Sequence, residues 1–161
     1  MDVDISLTPD ELVALIGRET IAVVTSIDPD GGPHAVPVWP IPVGDEVYFE
    51  TERVSRKARN LRHRPACCMV LGLQPWGPTA VLFGRATEVT DERTRAQVRQ
   101  ATADRYYGTT AHPSFQTLER QYVEFGGSSV FRVDADRVVS WSYEKLPARA
   151  WILPEPPPPS R

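Results

Sequence analysis

Hydrophobic and polar positions along the chain predict one short helix, followed by a series of short strands and three further helices. Residues 8–17 have the helical period, begin with a capping box formed by Thr8 and Glu11, and reach Gly17 as the expected end of the helix. The other helices are predicted at residues 55–63, 91–107 and 114–125. The strands are predicted at residues 20–27, 34–41, 46–51, 66–73, 79–89, 128–133 and 137–143.

This order of elements predicts the fold class. Short strands separated by turns rich in glycine, proline and aspartate, such as DPDGGP at residues 28–33, are typical of antiparallel sheets. Helices do not alternate regularly with the strands, as they would in a parallel α/β sheet. We therefore expect an α+β, mainly β chain that forms a six- to seven-stranded antiparallel barrel with peripheral helices.

Length and composition favour a single intracellular domain. A chain of 161 residues fits one domain, which we place at residues 1–150, and the proline-rich residues 151–161 form a tail. No stretch approaches the roughly 18 uninterrupted apolar residues that a membrane-spanning helix needs, and the acidic amino terminus does not resemble a signal peptide. Cys67 and Cys68 are adjacent, which favours reduced thiols. These features predict a cytoplasmic protein without a membrane partner.

Charge is concentrated in one segment of the chain. The net charge of −3 argues against a general nucleic-acid binder. Six lysine and arginine residues lie within residues 53–64, which contain no acid. A localised positive segment on an otherwise acidic chain indicates a confined anionic ligand.

The start of the predicted helix at 55–63 carries the most informative chemistry. Ser55 is the expected N-cap, and Arg56 and Lys57 follow it directly, although the helix dipole favours negative charge at this end. Backbone N–H groups, a hydroxyl and two cations together can bind a phosphate. Lys57 and Asn60 lie on one helical face and can reach the same ligand. A solvated basic helix is the alternative, and the residues alone leave both interpretations open.

Motifs for several other chemistries are missing from the sequence. His34, His63 and His112 have no metal-ligand spacing, so we predict no metal site. No nucleophile elbow, dinucleotide-binding fingerprint or P-loop is present. The catalytic residues therefore stay unassigned.

The order of four segments resembles the FMN-binding split-barrel superfamily, which includes the pyridoxamine 5′-phosphate oxidase-like proteins. The segments are VVTSIDPDGGPHAVPVWP, GDEVYFET, RKARNLRHRPACCMVL and TAVLFGRATEVTD. Within the superfamily, the K-x-x-N-L pattern at residues 57–61 and the Pro65 that follows most resemble the deazaflavin-dependent reductases that use coenzyme F420. The resemblance extends over residues 8–145, although residues 108–127 have no clear counterpart in the shortest members.

The resemblance implies a six-stranded split barrel, a homodimer, and a cofactor at the subunit interface. By position, it implies that the cofactor phosphate is held by Thr51, Ser55, Arg56, Lys57 and Asn60. The ring system is implied to lie along Val36, Pro37, Val38 and Trp39, with Glu50 near its edge. The resemblance also implies that Gln74 and Trp76 close over the ring from the partner subunit.

The activity implied by the resemblance is hydride transfer between coenzyme F420 and a small conjugated or planar organic substrate, with the cofactor ring carrying the hydride. An FMN-dependent oxidoreductase of the same fold is the close alternative, because the two cofactors share a ribityl phosphate. The basic segment is longer than one phosphate needs, which favours F420 with its oligoglutamate tail. A non-catalytic carrier of a flavin, a deazaflavin or haem is the alternative from another class.

Overall fold

The computed structural model describes residues 4–146, and one seven-stranded antiparallel sheet organises them. The predicted tail at 151–161 lies outside the described residues. The strands are β1 (Ala22–Ile27), β2 (Pro33–Val38), β3 (Ile41–Val43), β4 (Glu46–Glu52), β5 (Ala66–Leu71), β6 (Thr79–Glu88) and β7 (Ser128–Trp141). The helices are α1 (Pro9–Arg18), α2 (Arg56–His63), α3 (Glu92–Tyr107) and α4 (Pro113–Glu124), and a short 3₁₀ turn follows at Tyr143–Lys145.

The strand order β2-β1-β5-β6-β7-β4-β3 confirms the predicted mainly β, antiparallel fold. The long strands β6 and β7 pair along the middle of the sheet, from Thr79 opposite Trp141 to Glu88 opposite Phe131. The sheet curls around a single main core and forms the half-barrel of a split barrel. The large side chains of this core come from several strands: Val24, Phe49, Met69, Leu82 and Phe131.

The helices lie on two sides of the curled sheet. Leu15 of α1 and Leu61 of α2 are buried in the main core. Successive side chains of a strand point to opposite faces, so Tyr48 of β4 and Val130 of β7 turn away from that core and form a second cluster with α3. Helix α2 therefore belongs to the core side, where it directly follows β4 in the chain.

The end of α1 and the strand predicted at 34–41 differ from the prediction. Helix α1 continues through Gly17 to Arg18, and the N–H of Glu19 still donates to the carbonyl of Leu15 at 3.0 Å. The strand predicted at 34–41 divides into β2 and β3. Trp39 and Pro40 lie between them, and Pro40 has no N–H with which to continue a sheet ladder.

Strand β7 is continuous, whereas two strands were predicted at 128–133 and 137–143. The intervening DADR segment resembles a turn in the sequence, but it stays in the ladder through a β-bulge whose extra residue is Asp136. Across the ladder lies Gly84, where an added Cβ atom would overlap the carbonyl oxygen of Asp134. A residue without a side chain at position 84 therefore permits the bulge and the long strand.

Replacing Gly84 by alanine should destabilise the chain, because the backbone of β7 must move to admit the methyl group. We expect Gly84→Ala to lower the free energy of unfolding by roughly 1–3 kcal/mol in urea denaturation. Gly17→Ala is the matched control, since nothing lies within 4 Å of a Cβ atom at that helical position. Equal stability of Gly84→Ala and the wild type would contradict this account of the bulge.

Candidate functional site

The candidate site lies where strand β4 meets the start of helix α2. Ser55 caps the helix, as predicted, because its Oγ accepts a hydrogen bond from the N–H of Ala58 at 3.3 Å. The hydroxyl oxygens of Ser55 and Thr51 are 3.1 Å apart. Thr51 also donates to the carboxylate of Glu52 at 3.1 Å. Two hydroxyl groups and the first N–H groups of α2 are thus gathered in one small region.

An internal carboxylate faces the first turn of α2. Asp28, in the turn between β1 and β2, accepts two hydrogen bonds from Arg56: one from Nε at 2.7 Å and one from Nη2. Asn60 donates to the same carboxylate at 2.8 Å and to the Ser26 hydroxyl at 3.1 Å. These bonds, first from Arg56 and then from Asn60, lower the pKa of Asp28 from its ordinary value. Asp28 therefore supplies the negative charge that a helix start with two cations favours.

An open cavity of about 390 Å³, here called the central cavity, lies beside this turn of α2. Its lining combines a cation, carboxyl groups, a phenol and an apolar wall. The lining residues are Ile21, Pro37, Val38, Trp39, Glu50, Thr51, Glu52, Lys57, Leu118 and Tyr122. Within the described part of the chain, Lys57 forms no ion pair, so its positive charge is available to a ligand.

The apolar wall is fixed by aromatic contacts with helix α3. The ring of Trp39 stacks on Tyr106, with centroids 4.8 Å apart, and meets Tyr107 edge-on at 6.0 Å. The Tyr106 hydroxyl donates to the carbonyl of Pro40 at 2.8 Å, which ties the stack to the chain between β2 and β3. Trp39 stays 40% exposed, so its ring is held in place without being covered.

Glu50 and Tyr122 are partly buried ionisable groups of the central cavity. Burial raises the pKa of Glu50 above its ordinary value of 4.5; a hydrogen bond with Ser128 opposes this shift, and the negative charge of Glu119 adds to it. Burial also raises the pKa of the Tyr122 phenol, and the nearby Glu50 and Glu52 raise it further. Both pKa shifts therefore act in the direction of the uncharged, proton-bearing form of the side chain.

Half of the residues predicted for a cofactor line this cavity: Pro37, Val38, Trp39, Glu50, Thr51 and Lys57. Val36 is partly buried and packs against the main core instead. Ser55 does not line the cavity, but its hydroxyl forms a hydrogen bond with the hydroxyl of Thr51, which does. Arg56 and Asn60 are directed to Asp28, and they line a neighbouring hollow of about 480 Å³ with Arg59 and His63, here called the α2 hollow.

Gln74 and Trp76 do not line the central cavity of their own chain. They lie exposed in the loop between β5 and β6, where Trp76 has a φ of 71° and meets Tyr143 edge-on at 5.9 Å. The contact of these two residues with a ring therefore stays a prediction that needs a second subunit.

Four lining residues are missing from the sequence-based prediction: Ile21, Glu52, Leu118 and Tyr122. Leu118 and Tyr122 are four residues apart on α4 and so share one helical face, which the helical periodicity of the sequence could have predicted. Nothing local indicates that this face meets β4. Residues 108–127, which had no assigned role, thus supply part of the cavity wall.

Three further observations concern chemistry outside the cavity. No helix among the described residues is long and apolar enough to cross a membrane. Within residues 4–146, no three His, Cys, Asp or Glu side chains are grouped in a way that could hold a metal ion. Burial raises the pKa of Cys67 to about 12, so this thiol stays protonated and unreactive at neutral pH.

The curled antiparallel sheet, with a capped helix start beside an open cavity, places the chain in the split β-barrel class. The family model described as pyridoxamine 5′-phosphate oxidase matches residues 8–142, and the chain belongs to this family. No curated protein matches the chain.

Solved structures share the fold at low sequence identity. A conserved hypothetical protein from Mycobacterium tuberculosis is 24% identical, with a TM-score of 0.77 over 91% of this chain and 93% of its own. A FAD-binding protein from Mesorhizobium loti is 14% identical, with a TM-score of 0.56 over 84% of this chain and 93% of its own. The haem storage protein from Vibrio cholerae is 13% identical, with a TM-score of 0.63 over 83% of this chain and 93% of its own. The same fold thus occurs in flavin-binding and haem-binding proteins.

The raised pKa of Glu50 has a consequence for the stability of the empty protein. The unfolded chain releases this proton near pH 4.5, but the folded chain retains it to higher pH, so the wild type loses stability as the pH rises above that value. Glu50→Gln removes this loss. We expect thermal unfolding to show no gain for the variant at pH 4 and a higher Tm than the wild type at pH 8.

The control for this measurement is Glu124→Gln, which removes a carboxylate from the exposed end of α4. Its effect on Tm should be small and nearly independent of pH. If Glu50→Gln lowers the Tm at pH 8, the carboxyl group is ionised and stabilising in the folded chain, contrary to our assignment.

Proposed function

We propose that the chain is an oxidoreductase that binds coenzyme F420 and serves hydride transfer between the deazaflavin ring and a small conjugated or planar organic substrate. The observation that carries the proposal is Lys57, a cation without an ion-pair partner among the described residues, at the capped start of α2 and beside an apolar wall. The bound cofactor would supply the hydride chemistry. The residues of this chain bind the cofactor, orient it and keep water from part of its surface.

The phosphate of the cofactor fits the start of α2. The amino group of Lys57, the hydroxyls of Thr51 and Ser55, and the first N–H groups of the helix are the donors that a phosphate accepts. Arg56 contributes less to the local positive charge than the sequence alone implies, because its guanidinium already binds Asp28. We therefore assign the leading role at the phosphate to Lys57.

The ring system fits the wall formed by Pro37, Val38 and Trp39. This wall is apolar, and its aromatic member is held by Tyr106 of α3. A planar ring gains burial there, and aromatic contact adds about 0.5–1.5 kcal/mol. Support for F420 over FMN comes from the α2 hollow, where Arg59 offers positive charge beyond the phosphate region and His63 a further ring nitrogen. The acidic tail of F420 can use this charge, whereas FMN has no corresponding group.

FMN is the second candidate, favoured by membership of the pyridoxamine 5′-phosphate oxidase family and by the shared fold of a FAD-binding protein. A non-catalytic haem carrier has less support. The described lining residues of the central cavity include no His, Cys or Met, and the raised pKa of Tyr122 disfavours the phenolate that would ligate haem iron.

Titration of the purified chain with F420 and with FMN, followed by fluorescence, tests the proposal. Lys57→Ala should weaken binding of the preferred cofactor roughly ten- to hundredfold, since a hydrogen bond to a charged group contributes about 1.5–3 kcal/mol. The Tm of the empty protein should stay unchanged or rise slightly, because a cation leaves the positive end of the helix dipole.

The matched control is Arg93→Ala, because Arg93 occupies the second position of α3 just as Lys57 occupies the second position of α2. This variant should retain full affinity. Arg59→Ala should weaken F420 and spare FMN. Unchanged cofactor affinity and a clearly lower Tm for Lys57→Ala would show that Lys57 is structural, and absence of turnover with reduced cofactor would favour a carrier.

We also propose that the active assembly is a homodimer in which Trp76 from one subunit covers the ring held by the other. Light scattering at micromolar concentration should then give the dimer mass. Trp76→Ala should weaken cofactor binding about two- to tenfold, the range that corresponds to aromatic contact.

Mixing the two variants separates this arrangement from a site within one chain. Heterodimers of Lys57→Ala and Trp76→Ala contain one site with both side chains and one with neither, so half of the sites should bind with wild-type affinity. If each subunit contained a complete site, every site of the heterodimer would be defective. A monomer that binds cofactor tightly would overturn the dimer proposal.

A further inference from the structure

Two cavities of the molecule share a wall made of Glu50 and Tyr122. Both residues line the central cavity, and both also line a hollow of about 330 Å³ between α3, α4 and the start of β7. Glu50 comes from β4 and Tyr122 from α4, so the wall exists only because α4 packs over the sheet. It adds a carboxyl group and a phenol to a cavity whose other polar groups lie near α2.

The charged groups around this wall are largely paired with each other. Arg99 binds Glu119 at 2.6 Å and stacks over the ring of Phe115. Arg95 lies 3.8 Å from Glu92 and donates to the carbonyl of Ser128 at 3.4 Å. Within residues 4–146, Glu50 forms no ion pair. Partial burial of a carboxyl group without an ion-pair partner disfavours its charged form, and in its protonated form the group donates a hydrogen bond.

We propose that Glu50 and Tyr122 donate hydrogen bonds to carbonyl-type oxygen atoms of the ligand whose phosphate Lys57 binds. This inference rests on the proposed function and deepens it, since it states which end of the ligand the α4 side of the cavity recognises. The cavity then distinguishes two kinds of acceptor. A phosphate requires the cation and the helix start, whereas two neutral donors are sufficient for an uncharged carbonyl group.

The protonation of Glu50 depends on its surroundings as a whole. The groups that face it from the elements packed around it are Glu52 on β4, Lys57 on α2, Glu92, Arg95 and Arg99 on α3, Glu119 and Tyr122 on α4, and Ser128 on β7. Burial and the Glu119 carboxylate raise the pKa of Glu50, while Ser128, Arg95 and Arg99 lower it, and burial is the largest influence.

This assignment predicts a specific pH dependence of binding. When Glu50 ionises, its carboxylate repels a carbonyl oxygen, so affinity falls as the pH rises through the pKa of Glu50 in the folded chain. Glu50→Gln keeps a neutral donor at the same place and removes the fall. The second ionisation of a phosphate group lies near pH 6 and affects both proteins alike, so the ratio of their affinities reports Glu50 alone.

The experiment is a fluorescence titration with FMN between pH 5 and pH 9, repeated with F420 if the wild type prefers that cofactor. The affinity of Glu50→Gln relative to that of the wild type should increase as the pH rises, because the pKa of Glu50 is raised and only the wild type acquires a negative charge at this position. Tyr122→Phe should bind about two- to tenfold more weakly at every pH, the effect of one neutral hydrogen bond. Tyr48→Phe is the control, because its hydroxyl binds Glu46 outside the cavity, and its affinity should be that of the wild type.

The outcomes separate this inference from the proposed function. One outcome would overturn the inference alone: Lys57→Ala weakens binding, Tyr122→Phe has the affinity of the wild type, and the ratio of the affinities of Glu50→Gln and the wild type is the same at every pH. In that case the α4 wall does not contact the ligand. If Tyr48→Phe loses as much affinity as Tyr122→Phe, the loss reflects weakened packing and the inference is again overturned. If the wild type binds neither FMN nor F420, both proposals are overturned.

Discussion

The hydrogen bonds between Asp28 and helix α2 set the geometry on which the candidate site depends. Helix α2 begins with two cations and has no acid in its first turn, an arrangement that its dipole opposes. Asp28 reaches Arg56 and Asn60 from the β1–β2 turn and so binds the first and second turns of the helix together. With α2 held in this way, Leu61 faces the core and Lys57 faces the central cavity. Arg56 is thus neutralised by Asp28 of the same chain, and Lys57 remains for a ligand.

A second layer of structure completes the cavity from the outer side of the sheet. The end of α3 holds Trp39 through Tyr106, and α4 adds Leu118 and Tyr122. The start of α4 is connected to the same layer, because Phe115 meets Tyr107 edge-on with centroids 5.5 Å apart. The barrel strands therefore supply the floor of the cavity, and the two helices that follow β6 determine its shape.

Local signals in the sequence predict the helices and strands better than the contacts between them. The caps at Thr8 and Ser55 need only the three or four residues that follow them, and both are found as predicted. The continuity of β7 depends on Gly84 in another strand, so two strands were predicted where there is one. The contact between Asp28 and Arg56 spans 28 positions, and no periodicity within either segment encodes it. For the same reason, Tyr122 could be placed on a helix but not beside Glu50.

The uneven distribution of charge in the cavity limits the kind of ligand that fits. Among the lining residues of the central cavity, a flexible dianion would find one cation, Lys57, and it would face the carboxylate of Glu52 on the neighbouring strand. A flat, uncharged molecule would use the Trp39 wall but would leave Lys57 without a partner. A ligand with both parts, an anionic group at one end and a planar ring with carbonyl oxygens at the other, would meet Lys57, Trp39 and the two proposed donors, Glu50 and Tyr122, together. Buried polar groups are stable when each has a partner, so this combined ligand gains from every side of the cavity.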